Sequence, residues 1–371
     1  MNSIFQKSNL INYKVQYKSF IGCFSQKRNI TTIKEIQTRL KSIQNTKKIT
    51  DSMKLIASNK IEGAEKSLKV ARQMGNAFDT YFKNIGVSNQ ILDRNIIIAV
   101  GSDKGLCGGV NTSVSRALKY LIQDEEETNR RNLNNSNNNS SDGNGSNSSR
   151  SKSNSLKKLK SFSSTSSSSS SDEIESEKQQ QHHVFVIGEK IKSQVAKDIP
   201  SYIEMIYSGI GGKKQSGPSF YEVCLICDDI SYVMQENLLN SDIVEDDAYD
   251  EVFDSGFILF NQYINSVSYE ISSLPIYSRE AIINSPNLFT YKYDEDIFDE
   301  LQEFAFAIHL YWALNEGYMS ELSSKKYAME NSSRNAKEII NNLIKSINHS
   351  RQTHITNELI DISTGANNYK K

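Results

Sequence analysis

Gly101-Ser-Asp-Lys-Gly-Leu-Cys-Gly-Gly109 packs four glycines into nine residues, directly after an apolar run. Glycines placed there can hold an anion on backbone N–H groups. The spacing is nevertheless not that of a phosphate loop. Leu106 stands where G-x-x-x-x-G-K-[ST] needs its second glycine, and Asp103 where G-x-G-x-x-G needs its middle one. The expected use is therefore structural, allowing positive φ and close backbone approach. A nucleotide-dependent enzyme built on Gly101–Gly109 stays open as the alternative.

Cys224-Leu-Ile-Cys227 has the spacing of a redox or metal pair. A structural zinc needs four ligands, and no second pair accompanies it. The motif lies in a helical stretch beside Val223, Leu225 and Ile226, where cysteines act as small hydrophobes. The five histidines (His182, His183, His309, His349, His354) form no ligand spacing with acids or cysteines. The sequence therefore predicts no catalytic residue, no cofactor and no metal site.

The turn sits in an α/β stretch. Asn95–Val100 and Val184–Gly188 are short apolar strands, and Tyr202–Tyr207 is a third. Helices are expected near Val110–Gln123, Glu189–Lys197 and Ser219–Asn240. Glu251–Ile264 and Ser266–Ile276 alternate like a closing hairpin. Strand–helix alternation implies a mainly parallel, Rossmann-like sheet over 90–280.

Two proline-free stretches flank this region, 31–88 and 287–371. In the first, Ile33, Ile36, Leu40 and Ile43 give way to Ile49, Met53 and Ile56. The stripe then resumes through Ile61, Ala64, Leu68, Ala71, Met74, Phe78, Phe82 and Ile85, with an expected phase shift around Lys47–Thr50. Thr31 or Thr32 can cap the start, with Glu35 as capping-box partner of Thr32. In the second stretch Leu301, Ala305, Ile308, Trp312, Met319, Leu322 and Met329 are followed by Ala336, Ile340, Leu343, Ile347, Ile355, Leu359 and Ile362. Helices of about 80 and 100 Å would result. Their narrow stripes are buried if the two pair as an antiparallel coiled coil, with the α/β domain inserted between them.

Composition supports this division. Of 371 residues only 37% are hydrophobic, low for one evenly spread core. No apolar run is long enough to span a membrane. Residues 1–30 contain Lys7, Lys14, Lys18, Lys27 and Arg28 and no acid, as expected of a transit peptide. Residues 134–171 contain 18 Ser and 8 Asn, too few apolar groups to offset ordering, so an unstructured insertion is expected over about 125–181. The net charge of -1 conceals a basic stem, with 11 Lys/Arg against 5 Asp/Glu over 31–85. It also conceals an acidic shoulder, with 15 Asp/Glu over 240–303. No nucleic-acid motif accompanies the basic stem, and no direct membrane insertion is expected.

Three segments carry a family resemblance. Ile36-Gln-Thr-Arg-Leu-Lys-Ser-Ile-Gln-Asn-Thr-Lys-Lys-Ile-Thr-Asp-Ser-Met53 with Lys54 resembles the N-terminal helix of the ATP synthase gamma-subunit family. The Gly101–Gly109 turn is similar to its Ser/Thr-Asp-x-Gly-Leu-Cys-Gly-Gly motif. Asn348-His-Ser-Arg351-Gln352-Thr-His-Ile-Thr356-Asn-Glu358 through Gly365-Ala366 resembles its C-terminal signature. The resemblance implies a non-catalytic rotor in the central stalk of the mitochondrial F1Fo complex. It would couple proton-driven rotation of the c-ring to ATP synthesis at the alpha/beta hexamer. The implied partners are the F1 alpha and beta subunits, the delta and epsilon stalk subunits and the c-ring, at the matrix side of the inner membrane. Carried over by position, Met53 and Lys54 would lie near Arg351, Gln352, Thr356 and Glu358 and act in coupling with Lys325. One stretch departs from the family's Ser-Glu-Gln-x-x-Arg-Met-x-Ala-Met: here Leu322, Lys325 and Lys326 replace Gln, Arg and Met. A lysine cannot reproduce a bidentate guanidinium contact.

Overall fold

The computed structural model describes residues 33–87, 94–136, 181–211, 217–240, 256–293 and 297–368. The leader over 1–30, the Ser/Asn tract from 137 onward and the tail over 369–371 lie outside them. The chain forms two compact units: Ser42–Asn341, and Met1–Lys41 with Asn342–Lys371.

In the larger unit, β1 (Arg94–Val100), β2 (Gln181–Ile187), β3 (Ile203–Tyr207), β4 (Gly256–Tyr263) and β5 (Tyr269–Ile276) form one sheet in the order β3-β2-β1-β4-β5. The first four are parallel and β5 closes the edge antiparallel to β4. Strands buried on both faces read as near-continuous apolar runs, which is why Ile96, Ile97 and Ile98 are all fully buried. The period-two alternation sorts them. Ile96, Ile98 and Val100 join Phe185, Ile258 and Phe260 on one face. There they meet α4 (Phe220–Asn240) through Val223, Ile226 and Ile230. Ile97 and Ala99 join Val184, Val186 and Leu259 on the other face, against α2 (Val110–Ser136) and α3 (Glu189–Asp198). Each such aliphatic side chain contributes roughly 1.5–3 kcal/mol.

The strands and helices fall close to their expected places, with two differences. Helix α2 runs to Ser136 rather than stopping near Gln123. Glu125-Glu-Glu-Thr-Asn-Arg-Arg contains helix formers and no glycine or proline to end it. The last helix, α6 (Ile297–Asn368), starts later than 287. A short α5 (Arg279–Ile283), capped by the Ser278 hydroxyl, and a tight turn at Leu288–Thr290 precede it. Asn287 has another task there. Its backbone N–H donates to the Ile85 carbonyl at 3.1 Å and its side chain to the Asn84 carbonyl at 3.2 Å. These bonds satisfy the end of α1 (Ile33–Ile85), whose chain turns at Gly86 with φ 74°.

Helices α1 and α6 pack together in the larger unit. Ala64 and Leu68 meet Met319 and Leu322, Ala71 joins the cluster of Trp312 and Ala313, and Phe82 joins that of Phe298 and Ala305. Buried or half-buried positions on α1 recur at 43, 47, 50, 54, 57, 61, 64, 68, 71, 75, 78, 82 and 85. That is an unbroken four–three heptad. The expected phase shift near Lys47–Thr50 is therefore not a shift of the seam. The seam stays in phase through Lys47, Thr50, Lys54 and Ala57, while Ile49, Met53 and Ile56 are 56%, 36% and 59% exposed.

In the smaller unit Ile36 is buried, and Leu40, Leu343 and Ile347 are half-buried. Every residue from Arg351 to Ala366 is exposed, including Ile355, Leu359 and Ile362, which the stripe had placed in the seam.

At Gly75 the two helices leave no room for a side chain: a Cβ there would clash with the ring carbons of Trp312. Alanine gains about 1 kcal/mol of helix propensity over glycine. Overpacking a tight contact costs about 1–3 kcal/mol. Gly75→Ala is therefore expected to lower stability by up to about 2 kcal/mol in urea unfolding, whereas a gain would show that Trp312 yields freely.

Candidate functional site

The turn after β1 lies where a doubly wound sheet reverses strand order, between β1 and β4, outside the strand ends. A nucleotide would lie in that crevice. Here the chain's own α6 occupies it through a row of hydroxyls. Ser320 Oγ donates to the Asn261 carbonyl at 2.9 Å, Ser323 Oγ to that of Ser266 at 2.8 Å, and Ser324 Oγ to that of Cys107 at 2.6 Å.

Each motif residue of the turn has a structural task. The buried Ser102 donates its N–H to Asn111 Oδ1 at 2.9 Å and accepts from Asn111 Nδ2 at 2.9 Å. Asp103 accepts from Glu189 N at 3.1 Å and Gly209 N at 2.8 Å. It thereby supplies, from another loop, the cap that Gly188 cannot give α3. Gly188 has φ 121°, and a Cβ on it would press on the backbone of Gly101 and Ser102 at 3.0 Å. Cys107 is buried, and Gly108 has φ 63°. The turn is a clasp between β1, α3 and α6.

The sequence reading missed Leu106. It is the one non-glycine residue with positive φ (65°) among the described residues, and it is 61% exposed. Left-handed backbone costs an L residue roughly 1–2 kcal/mol. An exposed leucine held so is a candidate partner contact. The signal available in the sequence was a large apolar residue inside a run of glycines.

The Cys224–Cys227 pair sits on α4. Burial pushes both thiols up, Cys227 strongly, so they stay protonated. Among the described residues no group of His, Cys, Asp and Glu could hold a metal ion.

On the helix pair, Lys54 Nζ lies 3.4 Å from Glu330, and Ser333 Oγ donates to Asp51 Oδ1 at 2.6 Å. Glu330 and Ser333 thus stand beside Lys54 and Asp51 within the larger unit. Arg351, Gln352, Thr356 and Glu358 belong to the smaller unit, and all four are exposed. Thr356 Oγ1 donates to the Gln352 carbonyl at 2.9 Å, and Glu358 pairs with His354 at 3.1 Å. Lys325 turns to Glu321 at 2.6 Å, with side chains only 15% and 12% exposed. Leu322 is buried against Ala64 and Leu68, so an apolar residue suits that position.

Deeper in the seam stands Glu316, fully buried. Its Oε1 accepts from Arg72 Nε at 2.6 Å and Trp312 Nε1 at 3.0 Å. Its Oε2 accepts from Arg72 Nη2 at 2.9 Å and Tyr263 N at 2.9 Å. The Glu316 hydrogen bonds hold the Arg72 guanidinium above its ordinary pKa. No described helix is long and apolar enough to cross a membrane.

The sequence model of the family described as ATP synthase matches residues 32–137 and 152–368. The mitochondrial ATP synthase subunit gamma of Schizosaccharomyces pombe is 31% identical over 336 residues, covering 91% of this chain and 88% of that protein. The mitochondrial F(1) complex subunit gamma of Rattus norvegicus is 30% identical over 337 residues, covering 90% and 98%. Among solved structures, a chain of the Euglena gracilis mitochondrial ATP synthase (OSCP/F1/c-ring, rotational state 3) shares the fold. It matches at TM-score 0.53 and 14% identity, over 91% of this chain and 94% of that one.

Leu106→Gly is expected to stabilise the isolated chain by about 1 kcal/mol, because the strain disappears. Urea unfolding checks this; unchanged stability would mean that the turn relaxes without the left-handed backbone.

Proposed function

The chain belongs to the gamma-subunit family of mitochondrial ATP synthase, and from that membership we propose that it serves as the central-stalk rotor. It is turned by proton-driven rotation of the c-ring and drives ATP synthesis at the alpha/beta hexamer without performing chemistry itself. The delta and epsilon stalk subunits contact it, and it works as a peripheral protein at the matrix face of the inner membrane. The observation that carries this reading is the direct bonding of α1 to α6 by Asp51–Ser333, Lys54–Glu330 and Arg72–Glu316. A rotor must resist relative movement of its two helices.

The proposed hexamer contacts are the apolar side chains that α1 turns outward, Ile49, Met53, Leu55 and Ile56, all exposed. Apolar groups bearing on a partner have no fixed hydrogen bonds to break on each turn. Lys54, Arg351, Gln352, Thr356 and Glu358 supply polar contacts on the same reading. Lys54 can leave Glu330 for an acidic partner loop cheaply, since exposed pairs are worth about 0–1 kcal/mol. Lys325, half-buried on Glu321, instead stiffens its own helix. An asymmetric rotor presents each catalytic subunit with a different contact set, and each set favours a different nucleotide affinity.

The test uses the full chain purified from its own mitochondria. The alpha and beta subunits and the c-ring are expected to accompany it, with no ATP turnover by the chain alone. Recovery without them, or turnover by the isolated chain, overturns the reading. Ile49→Asp with Ile56→Asp should leave the chain's own stability within about 0.5 kcal/mol per site. The same double variant should sharply reduce ATP synthesis in the assembled complex.

A further inference from the structure

We infer that Glu316 is the torque joint of this chain, the positioning residue that fixes the rotational phase of α1, α6 and the sheet against one another. A carboxylate offers about four lone-pair sites. Glu316 fills four, with two bonds from Arg72 on α1, one from Trp312 on α6 itself and one from the Tyr263 N–H at the end of β4. Arg72 Nη2 closes the ring by donating to the Tyr263 carbonyl at 2.6 Å. Three elements thus meet on one fully buried group.

The surroundings make this directional grip necessary. The seam around it brings the small Ala71 and Gly75 of α1 against Trp312 and Ala313, and Ala64 with Leu68 against Met319 and Leu322. Apolar burial is non-directional and scales with area, so it holds the helices together but resists sliding and twisting weakly. A bidentate guanidinium–carboxylate pair adds geometric specificity. Ser320, Ser323 and Ser324 tie α6 alone to the sheet and its loops, whereas Arg72–Glu316–Tyr263 also takes in α1, so torque shared among all three passes through it.

This inference rests on the rotor reading, and the experiment separates the two. Arg72→Lys keeps the charge but loses the fork; Glu316→Gln keeps the volume but puts a donor among donors. Each variant, and the pair together, is incorporated into the whole ATP synthase. ATP hydrolysis and ATP-driven proton pumping are then read on the same inverted inner-membrane vesicles, normalised to assembled complex. The ratio of pumping to hydrolysis is expected to fall at least threefold in each single variant, and no further in the double. A ratio equal to wild type in complexes that assemble, even in reduced amount, means that the pair is merely structural and overturns the inference. Amide hydrogen exchange of Tyr263 in the wild-type complex needs no variant. The N–H is expected among the slowest to exchange, and exchange as fast as at the hairpin tip contradicts the joint. If the wild-type complex lacks this chain or does not pump, it is the rotor reading that fails.

Discussion

A carboxylate with no exposed surface sits where the two long helices and the sheet converge, and the rest of the architecture is arranged around keeping it satisfied. Burying an unpaired carboxylate is costly enough that the fold would reject Glu316 without its partners. Arg72 must therefore lie at one axial and rotational position on α1, which fixes the register of the whole heptad. Tyr263 must end β4 at the same point, which fixes the sheet against α6. Apolar clusters on either side supply most of the burial. Close contacts such as Gly75 on Trp312 also select a register, and the Arg72–Glu316 pair adds a directional constraint to it.

The second constraint is that α6 fills the crevice of its own sheet. A doubly wound fold ordinarily leaves open space at the strand ends where its order reverses. Here the serines of α6 bond to Asn261, Ser266 and Cys107, while the glycine-rich turn binds α3 through Asp103. The nucleotide-enzyme alternative loses its site to the helix. A fold that elsewhere does chemistry is used in this chain as a base for a helix pair.

How much of this was legible varies with the physics. The strands announced themselves because residues such as Ile96–Ile98 are buried on both faces and must be apolar throughout. The glycine turn was legible as structural from its failed phosphate spacing, but the left-handed Leu106 was not, since only coordinates give φ. The seam was misread at its middle because Lys47, Thr50 and Lys54 look like solvent positions and Ile49, Met53 and Ile56 look like core. The heptad phase decides otherwise, and the apolar side chains left outside are the face proposed for partners. Glu316 was invisible: a glutamate within a helix reads as surface unless Arg72, 244 residues away in sequence, is known to face it.

The most direct test of the rotor account is to watch the chain turn. The whole F1 part, immobilised by its hexamer and carrying a probe on an exposed α4 position such as Tyr232, is given ATP. The account requires stepwise rotation of the probe in one direction, at a rate that tracks hydrolysis. A stationary probe on hexamers that hydrolyse ATP at full rate would contradict it.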